Sequence, residues 1–430
     1  MGLTSKLEKL KLKDHDHEKP LENSTTTTTS AADSDDIDEM DNEGQSILMG
    51  IIAQLRPGMD LSKITLPTFI LEKKSMLERI TNFFQIPDLL IAANHTEDPL
   101  LRFVNVLRWY LASWHIAPKA VKKPLNPVLG ETFTCYWDDL PEGAGSAYYI
   151  SEQTSHHPPK SSYFYLVPDE KIRVDGTVVP KSRFLGNSSA AIMEGWGQVT
   201  LGNWGDEQYV MDQPNVYVRG ILFGKMKTEL GDHMVVRCEA SGLEADIEFK
   251  TKGFISGTYD AIEGHIKDSA TSEELYHITG KWNDIIDIKN IKTGKKDVLI
   301  DTHKTITVKP KVRPLEEQSP YESRKLWRPT IEALSRRDHA TATEEKYKVE
   351  NEQREMAKKR AEDGVEFHPK FFKLADHNGK NSKDLEYIIY KNINLSETPQ
   401  QLTEDVLSIA PFIPGQVFDE KFEIPAFKKQ

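Results

Sequence analysis

The chain has 430 residues, of which 38% are hydrophobic and 28% are charged, and its formal net charge is −12 at pH 7. This composition is typical of a soluble protein, and the length suits one large domain or two ordinary ones. No stretch approaches the ~18 consecutive apolar residues of a membrane-spanning helix, so we expect any membrane contact to be peripheral. The acidic charge argues against a nucleic-acid partner, because binding to a duplex needs a basic face.

Residues 1–45 predict a disordered acidic leader, because they are too polar to bury a core. Seven acids and no basic residue stand between Asp33 and Glu43. An amphipathic helix is predicted after the leader, since apolar residues recur there at helical spacing before Arg56-Pro57-Gly58 ends the pattern. The apolar residues are Ile47, Leu48, Ile51, Ile52 and Leu55. This helix either packs permanently on the core or covers it as a movable lid.

The elements that follow predict an α+β protein that is mainly β. A helix is expected from about Pro99 to Trp114, with Leu107 and Leu111 on its buried face. Over residues 131–310, short alternating runs without intervening helices predict an antiparallel sheet that curls toward a near-closed barrel. A charged helix from Ala342 to Glu362, ended by Gly364, follows in the C-terminal part.

These elements predict one domain over residues 46–430. Its expected parts are an amphipathic segment 46–75, a helical segment 76–130, the barrel 131–310 and a helical C-terminal subdomain 311–430. The only cysteines, Cys135 and Cys238, lie in apolar or strand-like stretches. They predict two buried thiols and a reducing compartment.

Residues 152–159 read Glu-Gln-Thr-Ser-His-His-Pro-Pro and follow a strand-like run. The two prolines restrict the backbone, so His156 and His157 are expected to be held rigidly at a strand end. Paired imidazoles suit a phosphate monoester, because they are readily charged beside an anion. Adjacent strand residues point to opposite faces, which makes this pair a poor chelate for one metal ion. The alternative is a capped strand with two surface histidines.

Two further patterns accompany the histidines. Residues 122–131 read Lys-Lys-Pro-Leu-Asn-Pro-Val-Leu-Gly-Glu. On the late charged helix, Lys346, Glu350 and Arg354 form one row at i, i+4 and i+8. The two cations of this row can reach phosphate oxygens while the carboxylate orients them. The alternative is a solvated ladder of salt bridges.

Together these patterns resemble the signatures of the oxysterol-binding-protein-related lipid-transfer family, E-Q-x-S-H-H-P-P, K-P-x-N-P-x-x-G-E and K-x-x-x-E-x-x-x-R. The resemblance extends from about Ile47 to Phe427. The segment Leu66-Pro67-Thr68-Phe69-Ile70-Leu71-Glu72-Lys73-Lys74 is similar to the lid segment of the short members that exchange phosphatidylserine for phosphatidylinositol 4-phosphate. The resemblance implies a barrel that encloses a lipid tunnel under an N-terminal lid.

The resemblance also implies three groups of residues. The phosphatidylinositol 4-phosphate head group would meet Lys123, Asn126, His156, His157, Lys346, Glu350 and Arg354. The phosphatidylserine head group would meet Leu66, Thr68, Asn126 and Ser182. The lid and acyl-chain residues would be Ile47, Leu48, Ile51, Ile52, Gln54, Leu55 and Arg56.

A tunnel suits this cargo, because a diacyl lipid loses about 20 kcal/mol of hydrophobic stabilisation when it leaves a bilayer unaccompanied. The expected function is extraction of phosphatidylserine and phosphatidylinositol 4-phosphate one at a time and their counter-exchange between membranes. The expected location is the cytoplasm, with peripheral contact to anionic membranes at sites between endoplasmic reticulum and plasma membrane. A sterol in place of phosphatidylserine, and a lipid sensor without transport, are the alternatives.

An enzyme is the competing class of function. The sequence lacks a His-Glu-x-x-His or Cys-x-x-Cys metal motif, a Gly-x-Ser-x-Gly nucleophile elbow and a Gly-x-x-x-x-Gly-Lys phosphate loop. We therefore expect no catalysis, no cofactor and no metal ion.

Overall fold

The computed structural model describes residues 50–51, 53–60, 67–117, 121–222, 225–253, 256–375 and 385–418. The predicted leader and four of the predicted site residues, Ile47, Leu48, Ile52 and Leu66, lie outside these ranges. Gly50 and Ile51 are helical, as predicted, but Ala53 and Gln54 form a turn and Leu55 belongs to no helix, so the predicted amphipathic helix does not extend to Arg56.

The N-terminal part is built from short elements that lead into one long helix. They are β1 (Leu71–Ser75), α1 (Met76–Arg79), α2 (Pro87–Asn94), α3 (Pro99–Ser113) and β2 (Lys123–Leu125). The carboxylate of Asp98 caps α3 by accepting the amide of Leu101 at 2.8 Å. The buried side chains of α3, among them Phe103, Leu107 and Trp109, pack into the main core. The predicted helix is therefore confirmed, and the segment also contains β2, which the sequence pattern missed.

Fifteen strands form one antiparallel sheet in the described part of the chain. They are β3 (Thr132–Trp137), β4 (Ala147–His156), β5 (Pro159–Val167), β6 (Ile172–Val178), β7 (Pro180–Phe184), β8 (Ser188–Met193), β9 (Trp196–Leu201), β10 (Glu207–Met211), β11 (Asn215–Arg219), β12 (Lys227–Cys238), β13 (Leu243–Lys250), β14 (Ala261–Asp268), β15 (Glu274–Lys281), β16 (Ile285–Asn290) and β17 (Lys296–Asp301). In β13 and β14, alternate residues are buried, as the period of a strand requires when one face meets the core.

The sheet runs from β17 through β16, β15, β14, β13, β12, β10, β9, β6, β5 and β4 to β3. The long strand β12 also pairs through its first residues with β11, which continues into β8 and β7 as a branch. Along β3, single bridges join Tyr136 to Lys311 and Thr132 to Glu322, so the returning chain covers this edge. The predicted mainly β fold with a near-closed antiparallel barrel is confirmed.

The C-terminal part lies against the β3–β5 end of the sheet. It contains α4 (Ser323–Leu326), α5 (Arg328–Ser335), α6 (His339–Asp363), α7 (Pro399–Leu407) and a hairpin of β18 (Phe372–Leu374) with β19 (Tyr387–Ile389). Apolar residues of this part cover the outer face of β4 and β5 in a second core, which explains why β4 is buried on both faces. The hairpin was not predicted, because its strands have only three residues each.

Helix α6 confirms the predicted charged helix and begins three residues earlier than expected. Asp338 caps its start by accepting the amide of Thr341, and Gly364 ends it with a φ of 64°. None of the helices described is both long and apolar enough to cross a bilayer. Cys135 and Cys238 are both buried thiols, as predicted.

Candidate functional site

The two histidines lie where β4 turns into β5. His156 is the last residue of β4 and pairs with Pro159, and the peptide bond between His157 and Pro158 is cis. The imidazole rings of the two histidines meet edge to face with centroids 4.4 Å apart. The expectation that they point to opposite faces is therefore wrong. The strand register shifts between Gln153 and Ser155 and His157 already belongs to the turn, so strand alternation no longer holds there.

The first residues of the same motif hold the strand in place. The carboxylate of Glu152 is fully buried and accepts the backbone amides of Lys370 and Phe371 at 2.6 and 2.8 Å. Burial raises the pKa of Glu152 to about 7, although these amides act in the opposite direction. Ser155 donates its hydroxyl to the carbonyl of Pro158 at 2.7 Å and closes the turn. These residues therefore position the two histidines.

The loop that follows β2 is joined directly to the histidine strand. The amide of Gly130 donates to the carbonyl of Gln153 at 3.0 Å, and the amide of Gln153 donates to the carbonyl of Glu131 at 2.9 Å. Gly130 has a φ of 79°, in the region that favours glycine. An added Cβ would also lie 3.2 Å from the Phe367 ring. This reciprocal pair of hydrogen bonds holds the two motifs together.

Glu131 anchors the loop to the C-terminal part. Its buried carboxylate accepts the amide of Val128 at 3.0 Å, the hydroxyl of Ser323 at 2.7 Å and the indole N–H of Trp327 at 3.0 Å. Burial raises the pKa of Glu131, and these hydrogen bonds oppose the increase. At the other end of the loop, β2 runs parallel to β1, with Lys123 beside Leu71.

The predicted row on α6 faces the same place. The side chain of Lys346 is 16% exposed, and its ammonium forms an ion pair with Glu350 one turn further along the helix. Arg354 is exposed, lies 5.3 Å from the ring centroid of Tyr347 and has its Nη2 3.5 Å from Oδ1 of Asn351. Two members of the row are therefore packed at the site, while the third points its guanidinium along the helix surface.

Electrostatic interactions show which of these groups are neighbours. Burial, together with the nearby ammonium of Lys346, lowers the pKa of Lys123, while Glu350 and Asp60 oppose the decrease. Burial and the neighbouring His157 lower the pKa of His156 to about 4, and Glu350 again opposes the decrease. The carboxylate of Glu350 is therefore the common neighbour of Lys346, Lys123 and His156. Asp60 was not expected at this place.

The residues proposed for the second lipid differ in burial and in their partners. Asn126 is exposed in the loop after β2. Ser182 is half-buried in β7, next to Arg183, whose backbone forms an isolated antiparallel β-bridge with that of Asp60. Thr68 is buried, and its hydroxyl lies 3.2 Å from Nδ1 of His339 at the start of α6. The hydroxyl of Thr68 is thus engaged by the protein, and its role toward a lipid stays a prediction.

The described residues 53–60 of the amphipathic segment add to the edge of β7. The amide of Gly58 donates to the carbonyl of Phe184 at 2.6 Å, and the amide of Phe184 donates to the carbonyl of Met59 at 3.0 Å. Leu55 packs against a small apolar cluster built on Phe184 and Ile221. Gln54 donates to the carbonyl of Gly50, while Arg56 is exposed. The segment is therefore attached to the barrel rim at residues 58–60.

Sequence reasoning missed Gln353, which connects all three motifs. Its Oε1 accepts the amide of Leu129 at 2.6 Å, and its Nε2 lies 2.5 Å from Nε2 of His156. Gln353 stands seven residues after Lys346, and a spacing of seven returns to the same face of a helix. That spacing is the signal that could have identified it.

These groups suit a ligand that combines a phosphate monoester with sugar hydroxyls. Lys123 and Lys346 supply ammonium donors, and the histidines supply imidazole donors at a restricted strand end. The carboxylate of Glu350 can accept a hydrogen bond from a sugar hydroxyl once the ammonium groups of Lys123 and Lys346 turn toward the phosphate.

Comparisons with known proteins identify the family of this chain. The family model described as oxysterol-binding protein matches residues 50–333 and 319–398. The oxysterol-binding protein-like protein OBPalpha of Candida albicans is 70% identical over 437 residues, which cover 100% of this chain and 99% of that protein.

Two solved structures share the fold. The Osh1 ORD domain in complex with cholesterol has a TM-score of 0.69 at 24% identity, over 82% of this chain and 88% of that one. The Osh3 ORD in complex with PI(4)P from Saccharomyces cerevisiae has a TM-score of 0.59 at 22% identity, over 83% of this chain and 92% of that one. Because the family model covers most of the chain and the Candida relative matches it from end to end, the protein belongs to the oxysterol-binding protein family of lipid-binding and lipid-transfer proteins, among its short members.

Proposed function

We propose that this protein extracts phosphatidylinositol 4-phosphate and phosphatidylserine one at a time and exchanges them between membranes. The observation that carries the proposal is the convergence of three distant segments on the carboxylate of Glu350. Lys123 comes from the loop after β2, His156 from the end of β4 and Lys346 from α6. Lys346 stands 223 positions after Lys123 and 190 after His156, and their meeting at one place is something that a solvated ladder of salt bridges on α6 would not require.

The 4-phosphate is the ligand group that these side chains suit best. A phosphate monoester carries a charge of about −1.5 to −2 near pH 7 and offers three acceptor oxygens. Lys123 and Lys346 repel one another, and the repulsion contributes to the lowered pKa of Lys123. An anion placed near both ammonium groups relieves this repulsion, so the gain on binding exceeds that of an isolated ion pair.

Phosphatidylserine is proposed as the second cargo on the basis of the lid segment and of Thr68, Asn126 and Ser182. A sterol is the second candidate, because the same fold holds cholesterol in one structural neighbour and PI(4)P in another. The fold alone does not choose between these lipids. Exchange would take place between endoplasmic reticulum and plasma membrane, with the protein attached peripherally to their cytoplasmic leaflets.

Exchange requires that the two cargoes exclude each other. Each brings two acyl chains into one barrel, so we expect competitive binding. The test uses liposomes that contain 2% labelled phosphatidylserine, from which the full chain extracts lipid while unlabelled phosphatidylinositol 4-phosphate is added in steps. Extraction of the label should fall to the background level as the competitor saturates.

Three further results would change the proposal. Unchanged phosphatidylserine extraction at saturating phosphoinositide would contradict exchange through one cavity. Displacement of labelled ergosterol or cholesterol, with no phosphatidylserine extraction at all, would favour the sterol exchanger. Extraction without any transfer between donor and acceptor liposomes would make the protein a sensor.

A further inference from the structure

Gln353 occupies an unusual position between the histidine strand and the loop after β2. Its side chain lies on α6 and is half-buried. The backbone amide of Leu129 can only donate a hydrogen bond, so the atom of Gln353 that faces it at 2.6 Å has to be the carbonyl oxygen. The amide group of the side chain is thereby fixed in one of its two orientations, with its NH₂ directed at His156.

This orientation determines the proton position on His156. The NH₂ of Gln353 can only donate, so Nε2 of His156 has to accept and cannot carry a proton of its own. A neutral imidazole has one ring proton, which therefore lies on Nδ1. Nδ1 is buried and makes no hydrogen bond within the described part of the chain. The carbonyl of Pro127 is near the ring and favours its protonated form, but it does not reach Nδ1 with hydrogen-bond geometry.

We infer that Gln353 is the positioning residue of the head-group site, which holds His156 as the Nδ1–H tautomer and presents that proton as a hydrogen-bond donor to a phosphate. The inference rests on the proposed function for the identity of the ligand, but the tautomer is a property of the protein itself. Gln353 thereby fixes the single proton of the neutral His156 ring on Nδ1, so that His156 can donate from this atom at neutral pH without a charged ring.

The groups that face His156 support a neutral ring with one directed proton. His157 adjoins it on the chain and disfavours a second positive charge, while Glu350 of α6 favours one. Burial outweighs Glu350, so the pKa of His156 lies near 4 and the ring is neutral at pH 7. A neutral ring donates through one nitrogen, and the wrong tautomer would present a lone pair to the phosphate. The tautomer of His156 therefore decides whether Nδ1 attracts or repels a phosphate oxygen.

Three variants of the full-length chain test the inference. Gln353→Leu removes both hydrogen bonds. Gln353→Glu keeps an oxygen for the amide of Leu129 but replaces the donor at His156 with a carboxylate, which attracts a proton to Nε2. Glu355→Leu, an exposed position on the same helix, is the control for helix propensity and folding.

The first measurement is the ¹⁵N spectrum of histidine-labelled protein without lipid, assigned with His156→Ala. The wild type should show a neutral His156 with its proton on Nδ1. The Gln353→Leu variant should show a mixture of the two His156 tautomers. In the Gln353→Glu variant the pKa of His156 should rise by more than one unit. A wild-type ring with the proton on Nε2 would overturn the inference, whatever lipid the protein binds.

The second measurement is extraction of phosphatidylinositol 4-phosphate and of phosphatidylserine at pH 6 and pH 8. Gln353→Leu should lose at least fivefold in phosphoinositide extraction and less than twofold in phosphatidylserine extraction. Gln353→Glu should lose more at pH 8 than at pH 6, because the added proton restores a donor at Nδ1. Equal loss of both lipids, or no loss relative to Glu355→Leu, would reduce Gln353 to a purely structural residue. A wild type that extracts no phosphoinositide would instead refute the proposed function and leave the tautomer result standing.

Discussion

Glu350 holds Lys346 in an ion pair one turn away on α6, and its carboxylate also interacts with Lys123 and His156. The protein thus contains an internal anion at the place where the ligand anion is proposed to bind. Substitution of Glu350 or Lys346 changes the charge around the proposed phosphate position. Substitutions elsewhere on α6 should leave that charge unchanged.

Lys346→Met should weaken phosphatidylinositol 4-phosphate extraction by about tenfold or more, because a hydrogen bond to a charged group contributes roughly 1.5–3 kcal/mol. The measurement is equilibrium extraction from liposomes of fixed anionic content. Lys348→Met is the matched control, because Lys348 is 56% exposed and pairs with Glu344 and Glu345 on the same helix. If both variants lose affinity equally, general attraction to the membrane rather than the site would explain the effect.

The double substitution His156→Ala with His157→Ala separates the two lipids. It removes donors to a phosphate group that phosphatidylserine does not carry at that position, so phosphoinositide extraction should fall by well over tenfold while phosphatidylserine extraction largely persists. The control is His265→Ala with His277→Ala, a second histidine pair whose rings stack at 4.6 Å on β14 and β15. Equal loss of both lipids at an unchanged melting temperature would show that His156 and His157 do not form a phosphate site.

Glu152 predicts a specific pH dependence of stability. Its pKa of about 7 in the folded chain exceeds the ordinary value of 4.5, so the folded state binds the proton more tightly between these values. Its contribution to the free energy of unfolding therefore falls as pH rises from about 4.5 to about 7 and is constant above that range. The difference between the free energies of unfolding of the wild type and Glu152→Gln should decrease over this window by up to about 3 kcal/mol.

Urea unfolding at pH 5, 6, 7 and 8 measures this difference. Other buried carboxylates, such as Glu131, occur in both proteins and cancel from it. A constant difference over the four pH values would mean that Glu152 does not titrate in this range.

The acidic residues 33–43 should weaken binding to anionic membranes. Anionic leaflets attract basic segments by about 1 kcal/mol per charge near the surface, and the same field repels acids that lie within about one Debye length, ~8 Å. Deletion of residues 33–43, or replacement of their acids by Asn and Gln, should increase flotation with anionic liposomes and slow lipid turnover. The effect should shrink at high salt and disappear on neutral liposomes. Equal flotation of the deletion and the intact chain would leave this stretch without a role in release.

The sequence predicted the parts of the molecule that depend on local pattern. Alternation of apolar residues predicted the antiparallel sheet over residues 131–310, and Gly364 marked the end of α6. It could not predict the three-residue strands β18 and β19, or β2, because their pairing depends on partners far away in the chain.

The motifs located most of the candidate site but misjudged its geometry. The local alternation rule placed His156 and His157 on opposite faces, whereas the shifted register and the turn bring their rings together. Asp60 carries no signature of its own, and Gln353 is indicated only by its spacing of seven from Lys346, which does not reveal its partners Leu129 and His156. Side-chain partners that are set by tertiary contacts lie beyond the reach of a pattern in one sequence.

The reciprocal hydrogen bonds between Gly130, Gln153 and Glu131 have a mechanical consequence. They join the loop after β2 and the histidine strand into one rigid block, which Glu131 and Glu152 attach to the C-terminal part. Gln353 adds α6 to this block through Leu129 and His156, so any opening or narrowing of the head-group site has to come from the segment around Asp60. The separation of Asp60 from Lys123, rather than that of Lys346 or Lys123 from His156, is the distance that should change when lipid binds.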